Sequence, residues 1–169
     1  SGFIHRSLKR IAEAILASGG KALRWATQFD NALLLLSLGI YLAVRLFRLM
    51  DYPIYFFVDE ANQTLLAADF VRNGFRDFLG NLLPTYFQNV YAYNLSLSVY
   101  AQVLPYMLFG LSIVVTRATS VLLTLPGALA IGLTHRRLLG SRYAWVGILL
   151  LSCSPAWFLH SRTAFETAL

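Results

Sequence analysis

Residues 31–50 read NALLLLSLGIYLAVRLFRLM, with no charge before Arg45 and Arg48. Wound as an α-helix, twenty residues reach about 30 Å, one hydrocarbon thickness of a bilayer. The surrounding chain agrees with a bilayer as solvent. Of 169 residues, 57% are apolar and 13% charged, whereas a soluble domain is about one quarter charged. A net charge of +6 would suit nucleic acid, but the uncharged run from 78 to 116 would not, and nucleic acid is excluded as a partner. Cys153 is the single cysteine, so an internal disulfide framework and a multi-thiolate metal site are excluded. His5, His135 and His160 lack ligand spacing, and no phosphate loop, nucleophile elbow or HExxH motif occurs.

Upstream, residues 4–29 carry Arg6, Lys9, Arg10, Lys21 and Arg24 between Ile4, Leu8, Ile11 and Ile15. That spacing predicts an amphipathic helix on an anionic membrane face, interrupted at Gly19-Gly20. Residues 1–30 are therefore expected to be a cytoplasmic basic segment, and the chain after Met50 to emerge outside. The start at Ser1 and the stop at Leu169, with no polar tail, predict the front part of a longer membrane protein.

Downstream, Pro53 ends the first span. Asp59 sits where a helix N-cap belongs, and Asn73-Gly74 is a stop signal. A short helix is expected over 60–73, with Leu66, Phe70 and Val71 resting on the membrane or the bundle. The run 78–116 leaves two topologies open: it crosses, or it lies at the outer interface. Arg136, Arg137 and Arg142 form a short basic loop between two apolar runs, which favours the interfacial reading and three spans near 31–50, 112–134 and 143–160. The expected fold is an all-α integral membrane bundle, with juxtamembrane amphipathic helices in an outer loop over 51–111.

This topology brings Asp59, Glu60, Arg45, Arg48, Arg117, Arg162 and Glu166 to one membrane boundary. Ionisable groups there are candidates for function, since their burial is costly without a role or a partner. Each also has a plain role: Asp59 as a cap, Glu60 as a dipole partner in the first turn, Arg117 as a snorkelling anchor, and Arg162 with Glu166 as an i,i+4 pair. Arg72 and Arg76 are expected to balance Asp69 and Asp77. Tyrosines 86, 91, 93, 100 and 106 read as an interfacial aromatic belt.

Four features occur in order: a proline after the first span with Asp59-Glu60-Ala61 opening a helix, Leu108-Phe109-Gly110-Leu111, Arg117 near the start of a span, and Ser154-Pro155 with Ser161-Arg162. Over about residues 31–169 this arrangement resembles the amino-terminal part of C-type membrane glycosyltransferases, in the group of protein O-mannosyltransferases and lipid A aminoarabinose transferases. The resemblance implies an inverting transfer of a sugar from a polyprenyl-phosphate carrier to a glycan, lipid or protein hydroxyl at the outer membrane face. It implies a bacterial plasma membrane, or the endoplasmic reticulum membrane in a eukaryote, with membrane lipids as partners.

The resemblance also assigns the base to Asp59 and a second acidic position to Glu166, where the family more often has Asp. Glu60 would raise the proton affinity of Asp59 by like-charge repulsion. Arg117, Arg162 and Arg45 are the candidates to meet the leaving phosphate. A divalent cation beside Asp59 and Glu60 would suit oxygen ligands, although two carboxylates do not define a metal site. The alternative is a non-catalytic membrane scaffold or lipid-handling subunit, which has no need for two adjacent acids at that boundary.

Overall fold

A computed structural model describes residues 28–89 and 93–164. The basic segment, Tyr91 and Glu166 lie outside the described residues. Of the described residues, 69% are helical. The elements are α1 (Phe29–Leu46), α2 (Val58–Arg72), β1 (Tyr86–Gln88), β2 (Tyr93–Leu95), α3 (Ser96–Phe109), α4 (Ile113–Leu139), a 3-10 turn (Ser141–Tyr143), α5 (Ala144–Cys153) and α6 (Pro155–His160). Two helices, α1 and α4, are long and apolar enough to cross a membrane. At 14 residues, α3 falls short of the roughly 17–25 that a crossing needs.

The two long helices run antiparallel. Arg117, near the start of α4, donates to the carbonyl beyond the end of α1 at Leu49, while Arg136 at the other end of α4 donates to Asn31 at the start of α1. Hence the whole stretch 47–112 leaves and returns at one end of the pair. There α2, α3 and the β1–β2 hairpin pack around Ala67, Phe70, Phe87 and Val99. The hairpin is absent from the sequence reading. Tyr86, Phe87 and Gln88 pair antiparallel with Leu95, Asn94 and Tyr93, and the alternation of only three residues per strand is too short a signal to stand out.

The other core lies between α1, α4 and α5, around Leu34, Tyr41, Ala128, Ala144 and Ile148. On α1 the buried positions are Asn31, Leu34, Ser37, Tyr41 and Arg45, spaced three or four apart on one face. Four of these five are polar or carry a polar tip. The outward face instead carries Leu35, Leu36 and Ile40. On α4 the buried set includes Thr116, Arg117, Thr119, Ser120 and Thr124, while Leu122 and Leu123 are exposed. Tyr41 ties the inner faces together: its hydroxyl pairs with Thr124 Oγ1 at 2.8 Å and accepts from Trp157 Nε1 at 3.0 Å. Helices α4 and α5 touch at glycines. A Cβ on Gly147 would collide with the His135 ring, and one on Gly132 would lie 2.7 Å from Ile148 Cδ1.

Two expected elements change shape. The apolar run 143–160 is not one continuous helix: α5 ends at Cys153, Ser154 is extended, and Pro155 opens α6, with Ser154 Oγ accepting from Trp157 N. Proline has no N–H to continue the ladder and biases the residue before it away from helix. The second change is at α2, which begins at Val58 with Phe57 as its N-cap, so Asp59 lies inside the first turn and is not the cap. Its end falls where Asn73-Gly74 predicts. Gly74 and Phe75 both have positive φ, and Phe75 N closes on Phe70 O at 2.8 Å.

Candidate functional site: a buried arginine cluster

One helical phase decides the site. Starting α2 at Val58 turns Glu60, Gln63, Thr64 and Ala67 inward on the i, i+3, i+4, i+7 face and leaves Asp59 exposed. The two neighbouring carboxylates thus take different environments. Glu60 is completely buried. Its Oε2 accepts from Arg117 Nη2 at 3.2 Å and reaches back to Phe57 N at 3.2 Å, while Oε1 accepts from Ala164 N at 3.4 Å. The expected dipole partner is therefore a buried ion-pair partner that also ties the start of α2 to the segment after α6.

Three arginines gather in this part of the fold, each at most 1% exposed. Arg117 Nη1 donates to Leu49 O and Nη2 to Tyr55 O, both at 3.0 Å. Arg162 Nη2 donates to Phe47 O at 2.7 Å. Arg45 donates to Leu151 O at 2.7 Å and to Ser152 O at 3.2 Å. Phenylalanine rings sit over the guanidinium groups. Phe158 is 4.5 Å from Arg162 and 5.5 Å from Arg45, and Phe56 is 5.6 Å from Arg117, distances at which a ring face attracts a cation.

Among the described residues the cluster is not neutral. Among the described residues Glu60 is the one carboxylate within ion-pair distance of it. Nor are its donors all used: Arg45 Nε, Arg117 Nε, and both Nε and Nη1 of Arg162 are buried without a hydrogen-bond partner among the described residues. Burial, and then repulsion from Arg117 and Arg45, lower the Arg162 guanidinium to about 10, so it stays charged at neutral pH. Buried charge without full pairing is costly, and four nitrogen donors without hydrogen bonds add to that cost.

The remaining sequence candidates sort as follows. Arg48 is exposed and pairs with Asp51 at 2.5 Å. Arg72 faces Asp69 at 3.8 Å on the surface. Arg76 does not balance Asp77; it donates to Gly80 O, and Asp77 binds the backbone and side chain of Asn81. Burial pushes the Asp77 carboxyl up, but bonds from Asn81, Leu79 and Gly80 outweigh it and hold the group below its ordinary range. Tyr86 and Tyr93 are exposed, whereas Tyr100 is half-buried and donates to Pro84 O. The sequence reading missed a polar seam beside the cluster: Gln63 with Ser98 at 2.7 Å, and Thr64 with Thr116 at 2.6 Å. Its signal was present in the polar i, i+3, i+4 spacing of α2.

A cation held jointly by Asp59 and Glu60 does not fit, because both Glu60 oxygens accept bonds from the protein and the two side chains differ in burial. Among the described residues no group of three or more His, Cys, Asp or Glu is placed to hold a metal ion. No family model, no curated protein and no solved structure matches the chain.

Proposed function

We propose that this chain is the front part of a membrane-embedded glycosyltransferase that moves a sugar from a polyprenyl-phosphate donor to a hydroxyl acceptor. The carrying observation is the buried arginine cluster, four of whose nitrogen donors have no hydrogen-bond partner among the described residues, together with an exposed carboxylate at Asp59, the residue before the Glu60 that pairs with Arg117. The membrane reading draws support from the arrangement of side chains. Polar groups face inward on α1 and α4 and leucines face outward, the reverse of a water-soluble bundle. On this reading α1, α4 and the broken α5–α6 segment form the spans, and stretch 47–112 lies on the outer side.

In the proposed reaction Asp59 takes the proton of the acceptor hydroxyl as its oxygen attacks the anomeric carbon. The bond from that carbon to the phosphate oxygen breaks with inversion, and the electron pair leaves on the polyprenyl phosphate. The free N–H groups of Arg162, with Arg117 and Arg45 behind, meet the developing charge. Because all three are covered, the phosphate must displace Phe56 or Phe158 to reach them. No step is assigned to a metal.

Replacing Asp59 with Asn in the full-length protein tests the reading. Transfer of radiolabelled sugar from a polyprenyl-phosphate donor should fall by at least about a hundredfold, the usual scale of a lost general base, with thermal unfolding in detergent unchanged. Transfer at the wild-type rate would remove Asp59 as base. A full-length protein with no transfer at all would leave the scaffold reading in its place.

A further inference from the structure

At the opposite end of the α1–α4 pair lies an open cavity of about 670 Å³ whose wall includes Gln28, Asp30, Asn31, Arg136, Arg142 and Trp145. Arg136 uses one N–H on Asn31 Oδ1 at 2.9 Å, and Asn31 is held in turn by Gln28 at 3.2 Å. That chain fixes one guanidinium in the wall, with no further side-chain hydrogen bond to it among the described residues. Arg142, on the 3-10 turn before α5, is exposed and forms no ion pair among the described residues. Two arginines against the single acid Asp30 leave the wall positive.

The cavity continues into an apolar track. Leu33 also lines it, and Leu36 and Ile40 follow on the same face of α1, three and seven residues on, both exposed. The last turn of α4, which carries Arg136, also exposes Leu138 and Leu139. A cationic cup that opens onto leucines along a span matches a molecule with an anionic head and hydrocarbon tails. A free phosphate would use the cup and leave the track empty. The geometry points to a binding site for one anionic phospholipid, with its head group between Arg136 and Arg142 and an acyl chain along Leu33, Leu36 and Ile40. Trp145 would sit at head-group depth, where its ring and N–H suit the interface. This inference rests on the membrane reading above and is independent of the sugar-transfer chemistry.

Native mass spectrometry of the intact protein in detergent tests it, with phosphatidylglycerol, phosphatidylcholine or inorganic phosphate added in turn. Phosphatidylglycerol should be retained at one molecule per chain, and the other two should not. The double variant Arg136→Gln/Arg142→Gln should retain it on the order of tenfold less, as expected for two arginines near a head group. Arg137→Gln removes one positive charge from the same helix end but outside the cavity, and should retain it as wild type does. Equal loss in Arg137→Gln would overturn the site in favour of diffuse surface attraction. Retention of inorganic phosphate without preference for phosphatidylglycerol would overturn the lipid assignment. Carbonate extraction of membranes tests the underlying premise separately: a chain released by carbonate overturns the membrane reading itself, whereas a retained chain that binds phosphatidylglycerol equally in the double variant overturns only the cavity.

Discussion

The two ends of the α1–α4 pair each hold arginines, and the protein treats them in opposite ways. At one end Arg45, Arg117 and Arg162 are sealed from solvent, bound to backbone carbonyls and roofed by phenylalanine rings. At the other, Arg136 and Arg142 stand on the wall of an open cavity. The same side chain is thus buried and covered in one place and an accessible cation in the other. What separates them is the segment between α1 and α4. The 47–112 stretch folds back over one end and brings α2 with Glu60, whereas at the other the described connection between α4 and α5 is only the short 3-10 turn at 141–143.

Glu60→Ala should have the largest effect on this contrast. It leaves Arg117 buried without its carboxylate and frees the N–H groups of Phe57 and Ala164. Denaturation in detergent micelles should show a loss of about 3–5 kcal/mol, much of it recovered by adding Arg117→Met. A loss below about 1 kcal/mol would mean that the pair is not the support of the covered end. Arg162→Met sharpens the comparison further. Burial and neighbouring arginines hold this guanidinium below its ordinary value, so the unfolded chain binds the proton more tightly and the charge costs native stability at every pH below about 10. Removing it should leave stability within about 1 kcal/mol of wild type or raise it, while sugar transfer by the full-length protein falls at least about tenfold. A loss above about 3 kcal/mol would make Arg162 a strut like Arg117 and remove it from phosphate binding. The smallest effect belongs to the open end: Arg142→Met should shift stability by no more than about 0.5 kcal/mol, and a larger shift would erase the distinction between the ends.

Much of this division is legible in the chain itself, and the reason it stops being legible is physical. Length and apolarity mark 31–50 and 112–134 because a bilayer-length helix needs an uninterrupted run, and α1 and α4 occupy Phe29–Leu46 and Ile113–Leu139. The same criterion misleads at 143–160, where apolarity hides the proline that splits the run. The gathering of Arg45, Arg117 and Arg162 follows from counting span ends. Their burial does not, since it depends on how 47–112 folds over them. Which of Asp59 and Glu60 turns inward depends on helix phase, and a start at Val58 instead of Glu60 is a two-residue difference that cap preferences alone do not resolve.

The break after α5 raises a problem of its own. A ten-residue helix finishes with carbonyls that have no partner within the helix, and in hydrocarbon no water can take their place. Arg45 reaches across from α1 to two of them, Leu151 and Ser152, so a fixed guanidinium does there what solvent does for a surface helix. Together with Ser154 N, which also donates to Leu151 O, the guanidinium lets the chain change direction at this break with donors supplied in advance. On the membrane reading proposed above, the cation in the last turn of α1 would be the portable equivalent of a water molecule, delivered to a corner of the fold that oil would otherwise leave short of donors.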